Sequence, residues 1–284
     1  MVRLVLGSAQ WGGRYGVANR TGQPSFAEVM RILAEAWEAG IRTIDTAQAY
    51  GPAEEWLGGR EGSRFQIVTK IRPSVVTRTE LTAALEESRT KLQRDILDVV
   101  LLHDPAQRDR EEIWRGLLDA RERGRVGAVG VSVRSVAQAD DQLAGLDAIQ
   151  VPASLLDQRL ARSSFFERAG AARVRVFVRS VFLQGAVALP PGDLPHHLRP
   201  LAPSLARLRN FAAEMGLELP ELLLLYARER YAAEVLVGCE TVEQLHANLK
   251  AWRLPPLGEQ AIRALEALVD DLDESVLNPA EWPT

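Results

Sequence analysis

Phe65-Gln66-Ile67-Val68-Thr69-Lys70 and Leu97-Asp98-Val99-Val100-Leu101-Leu102-His103 are short apolar runs, each ending on a titratable residue. Comparable runs occur at Leu4 to Ser8, Thr43 to Ala47, Ala128 to Val133, Ala148 to Ala153, Val174 to Phe182 and Glu234 to Gly238. Segments of helical period alternate with them, which is how a parallel sheet wrapped by helices reads in sequence. Eight such pairs in 284 residues, 46% of them apolar, predict an α/β fold. The expected architecture is one (β/α)8 TIM barrel, with residues 1–284 as a single domain.

The helices carry their own start and stop signals. Ser25/Glu28, Asp109/Glu112, Ser135/Gln138 and Thr241/Gln244 have capping-box spacing, and Gly40 and Gly124 stand where C-terminal glycines belong. In the first helix Phe26, Val29, Met30, Leu33 and Trp37 are expected to face the barrel, with Arg31, Glu35 and Glu38 toward water. Two regions exceed the repeating unit. The Gly/Pro-rich loop Gln184 to Pro203 after the seventh strand is a candidate substrate lid, and Ala261 to Leu272 reads as an extra C-terminal helix.

A net charge of -4, with both signs interspersed, argues against nucleic acid or an anionic membrane as the main partner. Cys239 is the only cysteine and forms no internal disulfide. The first apolar stretch, Val2 to Leu6, is too short for a signal peptide, and no later run reaches the length of a membrane span. A reducing cytoplasm is the expected location.

Asp45, Lys70 and His103 stand at the ends of the second, third and fourth strands, side by side on the face where barrels of this kind place their chemistry. Tyr50 follows Asp45 and can fold over the same mouth. Each has a plainer reading. Asp45 can cap a helix, Lys70 can be a solvated strand end, His103 a satisfied buried imidazole and Tyr50 loop packing. Together they suit carbonyl reduction, in which a proton must reach the oxygen as charge builds there. Tyr50 is the natural donor, Lys70 the cation favouring its phenolate, Asp45 the carboxylate keeping Lys70 ionised, and His103 an orienting donor. A rival chemistry is Schiff-base formation at Lys70.

The stretch Gly40-Ile-Arg-Thr-Ile-Asp45-Thr-Ala-Gln-Ala-Tyr50-Gly51-Pro-Ala-Glu54, then Val68-Thr-Lys70 and Leu101-Leu-His103, resembles the aldo-keto reductase signature. The resemblance implies that Asp45, Tyr50, Lys70 and His103 form a catalytic tetrad. It also implies NAD(P)(H) bound without a dinucleotide-binding fold, in keeping with the lack of a Gly-x-Gly-x-x-Gly fingerprint. The cofactor positions it implies are Gly7, Ser8, Asp45, Ser132, Gln150, Ser180, Gly238, Gln244 and Asn248, with Ser132 and Gln150 at the carboxamide. Arg179 occupies the place of an aromatic that usually stacks on the nicotinamide, and Val133 that of an asparagine.

The helix expected after Gly238 presents free N–H groups to a phosphate. Glu240 at that end would repel a 2′-phosphate, which favours NAD(H). Tyr50, His103 and Trp11 are expected to line the substrate pocket, whereas Tyr15 reads as loop packing. Arg179 and Arg14 would suit an anionic or sugar-like substrate. His196 and His197, adjacent in a proline-flanked loop, read as exposed loop and not as metal ligands. Gly124, Gly127 and Gly130 read as a helix end and strand start, not as a nucleotide loop. A competing function is a nicotinamide-binding redox sensor or regulatory subunit with little turnover.

Overall fold

The computed structural model describes residues 3–140 and 142–283. Eight parallel strands, β1 (Leu4–Gly7), β2 (Thr43–Asp45), β3 (Gln66–Ile71), β4 (Leu97–Leu102), β5 (Val126–Ser132), β6 (Ala148–Pro152), β7 (Arg175–Arg179) and β8 (Glu234–Gly238), close into a barrel in chain order. The closure pairs Leu4 with Val235 and Gly7 with Gly238. The strands fall where the apolar runs lie, with one informative difference. β7 stops at Arg179 instead of running to Phe182, because Ser180 takes φ 69°, a left-handed conformation that ends pairing.

Alternation of side chains along a strand sorts these residues into two sets. Val5, Val68, Val99, Leu101, Ala148, Phe177 and Leu236 point inward and fill the barrel. The other set packs outward beneath the helices. Two positions beyond an inward residue, the next inward position emerges at the top: Gly7 above Val5, Lys70 above Val68, Gln150 above Ala148, Arg179 above Phe177. The lower end is closed by Arg175, which donates to Glu234 Oε1 and Gln66 Oε1. The mouth of the barrel is therefore the end open to a ligand.

The first helix, Phe26–Glu38, is capped by Ser25 and buries Val29, Ile32, Leu33 and Ala36. Phe26 does not face the barrel as expected. It is 52% exposed and meets Trp56 edge-on. Asp109 does not cap its helix either, since Glu111–Glu122 starts after Arg110 and Glu112 accepts the Arg78 N–H instead. Thr77 with Glu80, which has the same spacing, and Glu218 with Glu221 also form boxes.

The loop after β7 is not an open flap. It runs as 3-10 turns that bury Leu194, Leu198 and Leu201 and leads into helices Ala202–Glu214 and Leu219–Arg230. The tail helix is Glu259–Ala267, earlier and shorter than predicted because Gly258 begins it. Among the described residues no helix is long and apolar enough to cross a membrane.

Candidate active site

Asp45, at the end of β2, is fixed by three donors. Lys70 Nζ lies 2.6 Å from Oδ1 and 2.7 Å from Oδ2, and Gln150 Nε2 lies 2.7 Å from Oδ1. The third ammonium N–H of Lys70 goes to the Thr46 carbonyl at 2.9 Å. Ser132 Oγ donates to Gln150 Oε1 at 3.3 Å, so one chain of bonds joins β5, β6, β2 and β3. Lys70 is completely buried. Burial pulls its pKa down, and the Asp45 charge opposes the fall.

Tyr50 lies in the loop after β2, which is held on both sides. Gln48 donates to the Ala84 carbonyl and to Ser88 Oγ, and Thr69 donates to Glu54. Gly12 and Gly51 let this loop meet the loop after β1, because a Cβ on Gly51 would stand 2.4 Å from the Gly12 carbonyl oxygen. Lys70 Nζ is 5.2 Å from the centre of the Tyr50 ring, with its donors already committed. Any help from Lys70 in forming phenolate therefore comes through its charge and not through a hydrogen bond. Burial first, then Asp45, push the Tyr50 phenol above its ordinary range, while Arg179 pulls it back.

His103 meets the Tyr50 ring edge-on, at 6.0 Å between centroids. Burial, then the charges of Lys70, Arg179 and Arg134, push its pKa down to about 3. It is a neutral imidazole near neutrality, and its buried Nδ1 has no hydrogen-bond partner among the described residues.

A cleft of about 400 Å³ opens above these groups and runs outward between the loops after β1, β7 and β8. Gly7, Asp45, Tyr50, Gln150, Arg179 and Ser180 line its inner part. Gly238 lines it beside its strand partner Gly7, and Glu240, Gln244 and Asn248, beyond the end of β8, line its outer part. Three sequence expectations fail here. Trp11 is wholly buried, its indole N–H donating to the Cys239 carbonyl, so it is not a pocket wall. Ser8 and Ser132 are also buried and do not line the cleft. His103 is half-buried and stands beside Tyr50, which lines the cleft. Tyr15, which reads in sequence as packing, lines the cleft instead, as do Gln10 and Asn19. Their one signal in sequence was position just after a strand end.

The helix Val242–Trp252 after β8 also differs from expectation. Its first N–H groups are not free: Val242 N–H goes to Glu28 Oε1 at 2.9 Å and Gln244 N–H to Thr241 Oγ1 at 3.2 Å. Gln244 Oε1 accepts the Glu240 N–H at 2.8 Å, so this residue both caps and lines the cleft. Glu240 takes a weak bond from Thr21 at 3.4 Å, and burial raises its carboxyl pKa. Gly130 lies inside β5, where a Cβ would strike the Ala148 carbonyl oxygen at 1.8 Å, so its role is close packing of strands. Among the described residues no cluster of His, Cys, Asp or Glu could hold a metal.

The donor set fits a dinucleotide. Amide side chains of Gln150, Gln10, Gln244 and Asn248 and the Ser180 hydroxyl are spaced along one groove, the mixture that a nicotinamide, two riboses and an adenine require.

A family model described as "Aldo/keto reductase family" matches residues 3–270. An uncharacterized oxidoreductase, YtbE of Bacillus subtilis, is 36% identical over 115 residues, covering 37% of this chain and 41% of that protein. Methylglyoxal reductase DkgB of Escherichia coli O157:H7 is 29% identical over 137 residues, covering 45% of this chain and 51% of that protein. The chain thus spans about half or less of the length of these relatives. The aldo-keto reductase AKR11C1 from Bacillus halodurans, in its holo form, superposes with TM-score 0.78 at 21% identity, covering 97% of this chain and 95% of that one. The glycerol dehydrogenase AKR11B4 from Gluconobacter oxydans superposes with TM-score 0.76 at 20% identity, covering 95% and 94%.

Proposed function

The chain belongs to the aldo/keto reductase family, and from that premise we propose an NAD(P)(H)-dependent oxidoreductase that interconverts a carbonyl and an alcohol. When bound, the nicotinamide supplies or accepts the hydride. This chain holds the substrate oxygen and moves the proton. Tyr50 keeps its proton until negative charge develops on the carbonyl oxygen, since an alkoxide is a stronger base than a phenolate. The proton then passes from Tyr50 Oη to that oxygen. The phenolate left behind faces the opposed charges of Asp45 and Arg179, and water at the mouth restores its proton. His103, as a neutral imidazole beside Tyr50, has a ring N–H to offer the same oxygen. Asp45, Lys70 and Gln150 hold the floor rigid beneath them.

The observation that carries this reading is the single cleft joining Tyr50 and Asp45 at the mouth to Gln244 and Asn248 on the outer helix. Glu240 in its outer part supports NAD(H) over NADP(H), because a carboxylate accepts from a ribose diol and repels a 2′-phosphate.

The test is loss of NADH or NADPH absorbance with a panel of aldehydes, ketones and sugars. The expected result is turnover that Tyr50→Phe lowers on the order of 10² to 10⁴-fold. Tight NADH binding with no carbonyl turned over would instead favour the sensor, a reading kept open by Val133 and Arg179 standing where the family resemblance implies an asparagine and an aromatic. A borohydride-trapped adduct on Lys70 would replace both.

A further inference from the structure

Arg179 is a charge at the barrel mouth with no ion-pair partner among the described residues. Asp45 and Lys70 satisfy each other, and Arg134 pairs with Asp104 at 3.6 Å. Arg179, partly buried at the end of β7, bonds only to neutral oxygens. One Nη donates to Ser180 Oγ at 2.9 Å and the other to the Val133 carbonyl at 3.1 Å. No carboxylate among the described residues forms an ion pair with it. A guanidinium carries five N–H donors in a planar fork, so two bonds leave most of the fork unspent. Arg14, the other candidate cation in the sequence, is exposed and does not line the cleft.

The segment that carries Arg179 is also strained. Ser180, Leu183 and Gln184 take φ of 69°, 43° and 52°, left-handed conformations that are unfavourable for non-glycine residues. The strain places Ser180 Oγ on the guanidinium and turns Gln184 so that its carbonyl accepts the Val17 N–H at 3.0 Å. The loops after β1 and β7 are thereby tied together over the cleft, and the arginine is tethered instead of free to swing into water. A tethered, unpaired cation that is partly withdrawn from water is costly unless an anion arrives to complete it.

Arg179 lines the inner part of the cleft with Tyr50 and Asp45, while Glu240 and Asn248 lie at the outer part. An anion bound to it stands beside the carbonyl that Tyr50 would protonate. We propose that the site takes carbonyl substrates bearing a carboxylate, such as an oxo acid or an acidic sugar, with Arg179 as the counter-ion that selects them. This rests on the carbonyl-reducing reading above. The shared chemistry, an anionic oxygen on a guanidinium, has one other source, the diphosphate of the cofactor, and the test separates the two.

Matched pairs that differ in one carboxylate, succinic semialdehyde against butanal and glucuronate against glucose, are compared by kcat/KM in wild type, Arg179→Gln and Arg179→Lys. Wild type is expected to prefer the anionic member. In Arg179→Gln the anionic-to-neutral ratio should fall on the order of 10²-fold, with Arg179→Lys in between, as for loss of one partner of a desolvated charge pair. No preference in wild type, or a ratio unmoved by Arg179→Gln, overturns the proposal. So does ADP-ribose binding weakened in Arg179→Gln as much as the anionic substrates, which would make the diphosphate the partner. If no carbonyl is turned over with either cofactor, the oxidoreductase reading fails by itself. Calorimetric binding of glucuronate against glucose to wild type and Arg179→Gln then decides the anion site, and equal binding sinks it.

Discussion

Lys70 Nζ lies 2.6 Å and 2.7 Å from the two carboxylate oxygens of Asp45, in a pair with almost no exposure to water. Such a pair is poor evidence for stability, since desolvating both charges costs about what their attraction returns. Its value is positional. It ties the end of β2 to the end of β3, spends the donors of Lys70, and leaves Asp45 to act on Tyr50 through its charge.

Breaking the pair on one side strands the other charge in the barrel. Asp45→Asn should therefore lower unfolding stability by about 3–5 kcal/mol in urea titrations. Asp45→Asn with Lys70→Met should recover part of that loss, because no unpaired ion remains. A single substitution costing under about 1 kcal/mol would mean that water reaches Lys70.

Tyr50→Phe removes the proton donor and keeps the ring that packs against His103. Turnover should fall on the order of 10² to 10⁴-fold, with the cofactor dissociation constant unchanged by fluorescence titration. A parallel loss of cofactor binding would make Tyr50 a binding residue instead.

The barrel was legible because its signal is repeated. Apolar runs at β3, β4 and β8 are bounded by helical segments, and strand alternation sends the residue two beyond each inward side chain to the mouth. Asp45 and Lys70 could be placed at the mouth from the residues alone, as the ends of apolar runs, whereas Gln150 came only with the family resemblance. Trp11 could not. It lies in a 3-10 turn, Ala9–Gly12, where neither period 2 nor 3.6 says which way a ring points, and the Cys239 carbonyl draws its indole N–H inward. The capping of Val242 by Glu28 joins residues 214 positions apart and leaves no local trace. The strain at Ser180, which ended β7 early, is likewise a property of the loops it bridges and not of the residue.

Glu240 lines the outer part of the cleft, and its carboxylate takes side-chain hydrogen bonds from Thr21 and Gln244 but no ion pair among the described residues. Dissociation constants should favour NADH over NADPH. Glu240→Arg should narrow or invert the preference by at least about tenfold, because a charge-assisted hydrogen bond to the 2′-phosphate then replaces a repulsion. Tighter binding of NADPH by the unaltered protein would show that another cation reaches the 2′-phosphate.

Arg179 bears on the redox state of the cofactor as well as on the substrate. Oxidised nicotinamide is cationic, so an unpaired guanidinium at the mouth should disfavour it relative to the reduced form. Arg179→Gln should raise the affinity for NAD+ relative to NADH by roughly tenfold, measured by calorimetry without substrate. An unchanged ratio would place the guanidinium out of reach of the ring.

His103 gives the chain an acid limit whose sign can be worked through. Its ordinary pKa of 6.5 falls to about 3 in the fold, so between those values the unfolded chain binds a proton that the native chain refuses. Stability is then highest above pH 6.5 and declines as pH falls, approaching about 1.4 kcal/mol per unit. Carboxylates begin to titrate near pH 5, which leaves the interval from 6.5 to 5 as the clean window. Across it the wild type should lose about 1.5 kcal/mol more than His103→Gln, from the same linkage. The other three histidines, His196, His197 and His246, are common to both proteins and cancel. Equal pH slopes would require that His103 take up its proton in the native state, which its burial against Tyr50 and beneath three cations opposes.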